Sequence, residues 1–212
     1  MNFLISALIG YFLGSIPTAY LILKKKYNLD ITESGSGNVG AFNSFDVTKS
    51  KKTGLFVFII DFIKGILSVI IPALLFPDIF IFPAIALFFS VFSHCFNPWL
   101  NFNGGKGLAT AAGGVIILSP VILLVWVIFW LVVYFIKKDI LFANISAIIL
   151  TLLLMLTSSD IVYKYTNPLA DSQAILIMFA IGFLTVIFIK HIDSFKEILS
   201  NYKSLGKGKS DE

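Results

Sequence analysis

From Leu108 to Ile136 the chain runs 29 residues without a charged side chain, interrupted only by Ser119-Pro120 near the middle. A soluble core has no use for so long a run, whereas a helix needs about 20 apolar residues to cross about 30 Å of hydrocarbon. Lipid is therefore the solvent for much of this sequence. Composition agrees: 58% of the 212 residues are hydrophobic and 13% are charged, against about 45–50% and about 25% in ordinary soluble proteins. A soluble cytoplasmic enzyme is excluded. Twenty-nine residues are too many for one span and few for two, and a proline both removes a helix donor and clashes with the preceding turn. The stretch is read as two short helices, 108–118 and 120–136, packed as a hairpin against other protein.

Five further spans are predicted: Phe3–Leu23, ended by Lys24-Lys25-Lys26; Gly54–Phe76; Phe80–Ser93, with Asp78 at the turn before it; 141–159; and 174–190. Met1-Asn2-Phe3 supplies no positive region, and no small-residue cleavage site follows, so the first span is read as retained. The expected fold is all-α, a polytopic integral membrane protein with about seven transmembrane helices and one domain over residues 1–212. All sixteen basic residues are lysines, and all but Lys64 sit between the apolar spans, mostly in blocks, which fits membrane topology and argues against a nucleic-acid partner. Six lie in the glycine-rich loop 24–53, two at 137–138, five in the tail from Lys190, and one is Lys106. Short cytoplasmic loops are enriched in positive charge. Seven spans with the N-terminus outside and the C-terminus cytoplasmic put these fourteen on the cytoplasmic face, with the tail 191–212. The lone Cys95 excludes an intramolecular disulfide framework and a cysteine-rich metal site.

Two glycine clusters interrupt the polar segments. Ser34 to Ser44 contains Gly35, Ser36, Gly37, Asn38, Gly40 and Asn43. It reads either as a flexible linker or as a nest of backbone N–H groups for an anion, completed by Ser and Asn side chains. Asn103-Gly104-Gly105-Lys106-Gly107 leads directly into the helix that begins near Leu108. A glycine turn opening a helix offers unpaired N–H groups and the positive dipole end to a phosphate; a structural turn with a topogenic lysine is the alternative. The cluster is not a Walker A loop. His94 and His191 each end a span, and the predicted topology puts both on the same membrane face as the glycine clusters. Asp61 and Lys64, three residues apart inside a span, can neutralise each other on one helix face. Gly14-Ser15-Ile16-Pro17 should break or kink the first helix.

Taken together, these segments resemble the bacterial acyl-phosphate:glycerol-3-phosphate acyltransferases, inner-membrane enzymes of phospholipid synthesis. Gly14-Ser15-Ile16-Pro17 is similar to that family's first motif, and Gly35 to Asn43 to its GSGNxGATN. Asp61 to Gly65 resembles D-x-x-K-G. His94, Phe96, Pro98, Phe102 and Gly104 to Thr110 resemble H-x-F-P…F-x-GGKG-x-AT, with one residue inserted before the proline. The resemblance implies transfer of an acyl group from acyl phosphate to the 1-hydroxyl of glycerol 3-phosphate, giving lysophosphatidic acid beside the membrane lipid, with no cofactor or metal. It implies catalytic roles for Ser36, Asn38, Lys106 and His191, and substrate binding by Ser15, Gly35, Gly37, Asn43, His94, Gly104, Gly105, Gly107 and Thr110. The chain departs from the family pattern at Thr32, Phe42, Asp46, Ile192, Ser194 and Lys203, all toward the glycerol-phosphate side. An acyl-phosphate-dependent transferase with another acceptor, and a non-enzymatic permease or regulatory paralogue, are the competing readings.

Overall fold

The computed structural model describes residues 1–192, and within them every regular element is helical. The first span is α1 (Asn2–Gly14) and α2 (Thr18–Tyr27), broken where Pro17 removes a donor. Lys24, Lys25 and Lys26 do not stop α2. They form its last turn, where positive side chains complement the helix dipole, and Asn28 in the left-handed conformation ends it. The loop that follows is not wholly irregular: α3 (Ala41–Thr48) lies inside it, and α4 (Lys51–Leu75) begins with Ser50 capping Thr53 N–H, before the expected Gly54. Then come α5 (Ile81–Cys95), a 3-10 turn at Pro98–Leu100, α6 (Leu108–Leu118) and α7 (Pro120–Lys137), with the break at Ser119 as predicted. The expected span 141–159 divides into α8 (Ile140–Thr157) and a one-turn α9 (Ser159–Tyr163), and α10 (Gln173–Ile189) closes the described chain.

Among the described residues, five segments are long and apolar enough to cross a membrane: Asn2–Tyr27, Lys51–Leu75, Ile81–Leu100, Pro120–Lys137 and Ile140–Thr157. The shorter α6 has 11 residues, about 17 Å at 1.5 Å per residue, and so is a half-length helix held by its neighbours. Helices in lipid gain nothing from burying apolar surface against one another and rely on close contact between small residues. That is how the centre is built. Gly10 and Gly14 of α1 lie against the backbone of Ala86 and Ser90 in α5. Gly65 of α4 lies on the Thr110 carbonyl oxygen, and Gly113 of α6 on that of Phe62. α7 is the opposite case: it packs chiefly on α8, and Ile122 is its one buried residue. An all-round apolar helix with so little protein around it is a lipid-facing helix.

Candidate active site

The two glycine clusters, more than sixty positions apart in sequence, touch in the fold. Val39 N–H points at the Gly104 carbonyl oxygen, 3.4 Å away, and Gly105 N–H donates to the His94 carbonyl oxygen at 3.1 Å. The second loop therefore lies flat on the end of α5, with the first loop against its edge. Gly107 turns it into α6 with φ of 81°, a left-handed value that favours glycine. A side chain on Gly105 would collide with the His94 ring and would stand 2.8 Å from the Val39 carbonyl oxygen. Glycine is thus required at 105 for two backbones and a ring to share this space.

The first loop is folded, which removes the flexible-linker reading, and Asn43 holds it. From the first turn of α3 its Oδ1 accepts from Ser36 N–H at 3.1 Å, while Nδ2 donates to the Ser34 and Asn38 carbonyl oxygens, both at 3.0 Å. Gly35 and Gly37 have φ of 60° and 70°, so the chain curls around the buried amide. Ser36 and Gly35 are left exposed, and Asn38 half-buried, at the rim of the loop. Asn43 spends its amide on the loop itself.

Below the loops lies a charged cluster. Lys64 Nζ sits 2.9 Å from Asp61 Oδ1, and donates to the Ile16 carbonyl oxygen at 3.1 Å in the break between α1 and α2. Its third contact is His94 Nδ1 at 2.9 Å. The expected pair of Asp61 and Lys64 forms. Its approach is an ion pair rather than an aligned hydrogen bond, since Asp61 Oδ1 has no hydrogen-bond partner. The same break is pinned by residues that sequence reasoning left unassigned. Asn97 Nδ2 donates to the Ser15 carbonyl oxygen at 2.8 Å, and Trp99 Nε1–H to Ser15 Oγ at 3.1 Å. Asn97-Pro98-Trp99 beside His94 was the available signal.

His191 follows α10 and is fully buried. Its Nδ1–H donates to the Ile187 carbonyl oxygen at 2.8 Å, so Nε2 carries the lone pair, and that atom has no partner among the described residues. It lies beyond the spanning helix. Burial lowers its pKa from 6.5 to about 4; the Ile187 hydrogen bond works the other way, and the Lys106 charge lowers it further. Ile187 also packs near Gly107, its Cγ1 3.4 Å from where a Cβ would stand, which brings the end of α10 to the second loop. Lys106 is half-buried in that loop. Thr110 lies instead inside the α4–α6 contact, fully buried, with its hydroxyl unpartnered. Beneath Gly107 a narrow apolar groove opens between α6, α7 and α10, lined by Leu108, Ala111, Trp126, Phe183 and Ile187.

Of the divergent positions, Thr32 donates through both N–H and hydroxyl to Asp30 Oδ1, at 3.0 and 2.6 Å. That contact, aided by the Lys24 charge and opposed by burial, holds the half-buried Asp30 carboxyl below its usual pKa. Phe42 is 67% exposed on the outer face of α3. Asp46 pairs with Lys49 at 2.8 Å, both well exposed. Ser194 and Lys203 lie outside the described residues, as does the tail beyond Ile192.

The arrangement has counterparts among known proteins. Residues 4–201 match the family profile described as Glycerol-3-phosphate acyltransferase. A glycerol-3-phosphate acyltransferase of Macrococcus caseolyticus (strain JCSC5402) is 33% identical over 201 residues, 94% of this chain and 95% of the relative. Its counterpart in Helicobacter pylori (strain HPAG1) is 36% identical over 160 residues, 70% of this chain and 71% of the relative. Among solved structures, PlsY (YgiH), an integral membrane glycerol 3-phosphate acyltransferase, superposes in its glycerol 3-phosphate form with a TM-score of 0.78 at 30% identity. That match covers 95% of this chain and 94% of the other. The lysophosphatidic acid form gives 0.76 at 29% identity.

Proposed function

The chain belongs to the glycerol-3-phosphate acyltransferase family and acylates glycerol 3-phosphate, and from that premise we propose that the donor is an acyl phosphate held at the seam of the two glycine loops. Family membership argues against the permease reading. The observation that carries the proposal is the Val39–Gly104 contact, because it joins a backbone nest to a lysine-bearing helix start in one place. The N–H groups of Gly35 and Asn38, the Ser36 hydroxyl and the Asn38 amide line the donor's phosphate, and Lys106 offsets its charge. Gly104, Gly105 and Gly107 allow close approach, with His94 beneath them. Ser15 keeps the helix break in place through its bonds to Asn97 and Trp99.

The acyl chain descends into the groove under Gly107. The 1-hydroxyl of glycerol 3-phosphate attacks the acyl carbon, inorganic phosphate leaves with the electron pair, and a phosphate oxygen of the donor takes the hydroxyl proton. His191 Nε2, a lone pair at neutral pH, accepts a hydrogen bond from the 2-hydroxyl of the acceptor and so orients the 1-hydroxyl for attack. The protein's part is positioning and electrostatics, since the leaving group is already on the donor. We place the site on the cytoplasmic face of the inner membrane, within seven spans and with the N-terminus outside, on the strength of the lysine distribution.

A second reading, the same donor with another alcohol, is favoured by Phe42 and Asp46, which put an aromatic ring and an acid on the outer face of α3. Purified protein given palmitoyl phosphate and a panel of acceptors separates the two. Lysophosphatidic acid and phosphate released in equal amounts is the expected result. Release of phosphate only with a different alcohol would reject glycerol 3-phosphate, and use of acyl-thioesters in place of palmitoyl phosphate would reject the donor.

A further inference from the structure

Asp61 and Lys64 suffice to neutralise each other in α4, yet the cluster has a third member. Lys64 Nζ touches Asp61 Oδ1 at 2.9 Å, the Ile16 carbonyl oxygen at 3.1 Å and His94 Nδ1 at 2.9 Å. The three residues are 2%, 3% and 6% exposed in the order Asp61, Lys64, His94, so water does not replace these contacts. An ammonium has three protons and no lone pair. In its contact with the ammonium His94 Nδ1 must therefore be the acceptor, which leaves the ring proton on Nε2. That nitrogen faces Gly105, where a Cβ would collide with it and would also meet the Val39 carbonyl oxygen. Nε2–H thus stands at the meeting line of the two glycine loops.

We propose that Lys64 is a positioning residue: held by Asp61 and the Ile16 carbonyl, it fixes His94 as the Nε2–H tautomer, a permanent donor to a phosphoryl oxygen seated over Gly105. The inference rests on the phosphate-binding reading of that seam. Asp61 Oδ1 lies 3.9 Å from His94 Nδ1. Without Lys64 between them the carboxylate would draw the ring proton to Nδ1, and Nε2 would present a lone pair to the phosphoryl oxygen. The ammonium therefore sets the sign of the interaction at the far edge of the ring. The phosphoryl group belongs either to the acyl donor or to glycerol 3-phosphate, and kinetics distinguish them.

The chain has two histidines, and the structure gives them opposite tautomers, because His191 Nδ1 donates to Ile187. ¹⁵N-histidine-labelled protein in nanodiscs should show one ring of each type, with the His191→Gln variant assigning them. A His94 ring protonated on Nδ1, or on both nitrogens, overturns the proposal with no variant of Lys64 needed. In kinetics, Lys64→Met should raise KM at least tenfold for whichever substrate carries the phosphoryl group, with a smaller effect on kcat. His94→Ala and His94→Ala/Lys64→Met should then share one KM. An unchanged KM in Lys64→Met, or an equal rise in the His94→Ala background, rejects the role. Failure of the wild-type protein to acylate glycerol 3-phosphate would count against the proposed function, and the ring spectrum is read independently of it.

Discussion

Replacing Asn43 with alanine tests whether the first glycine loop is organised by one side chain. The substitution removes one acceptor and two donors: Ser36 N–H is stranded, while the carbonyl oxygens of Ser34 and Asn38 each lose one of two partners and keep Gly37 N–H and Gly40 N–H. Each bond is worth about 1 kcal/mol net, so the loop loses about 3 kcal/mol of local order. Ser34 is half-buried and Ser36 exposed, and water can re-pair some of these groups, which lowers the cost to about 2–3 kcal/mol. If that order must be restored on binding, each 1.4 kcal/mol costs about tenfold in affinity. KM for palmitoyl phosphate should then rise about 30- to 100-fold, with KM for glycerol 3-phosphate much less affected. The assay is phosphate release by purified protein in nanodiscs, run beside hydrogen exchange of residues 34–38, which should speed up. An Asn43→Ala enzyme within threefold of wild type in KM for palmitoyl phosphate would refute the reasoning, because the loop would then be ordered by something else.

Protonation of His191 gives a second test. Its folded pKa is lowered from 6.5 to about 4, so as pH falls below about 6.5 the unfolded chain takes up the proton first. Its stabilising contribution is complete above that pH and is lost between about 6.5 and 4; the melting temperature of His191→Gln should fall less than that of wild type over this window. Gly113→Val places a side chain against the Phe62 carbonyl oxygen and should cost at least about 1–3 kcal/mol, seen as loss of monodisperse protein in size-exclusion chromatography. Asp46→Arg breaks an exposed pair with Lys49, worth about 0–1 kcal/mol. It should leave the melting temperature unchanged and lower KM for glycerol 3-phosphate; an unchanged KM would mean that position 46 faces away from the acceptor.

What the sequence made legible was what is local. Pro17 and Pro120 mark helix breaks through a missing donor, and the three-residue spacing of Asp61 and Lys64 puts them on one face. The lysine triplet misled, since Lys24 to Lys26 continue α2 as a dipole-compatible last turn. α3 is not legible because its eight residues, following directly on Gly40, are of mixed polarity and too short a window for a helical period to show. Lys64 reaching His94, and Trp99 reaching Ser15, are contacts between elements far apart in the chain. No periodicity encodes them; they follow from how closely glycines let α1, α4, α5 and α6 approach. The same holds for Asn43, whose place in a motif suggested a ligand contact and whose side chain serves the loop.

The scant enclosure of α7 by protein has a consequence for how this protein can change over time. With Ile122 alone enclosed and the Trp130 indole tied to Asn144 of α8 at 2.7 Å, most of that helix answers to the thickness and fluidity of the surrounding bilayer. Its apolar side chains are exchangeable for one another at little penalty, whereas a single added methyl at Gly65 or Gly113 is not. Adaptation to a new membrane composition can therefore accumulate along the side of α7 that faces away from Trp126 while the glycine loops and the charged cluster stay still.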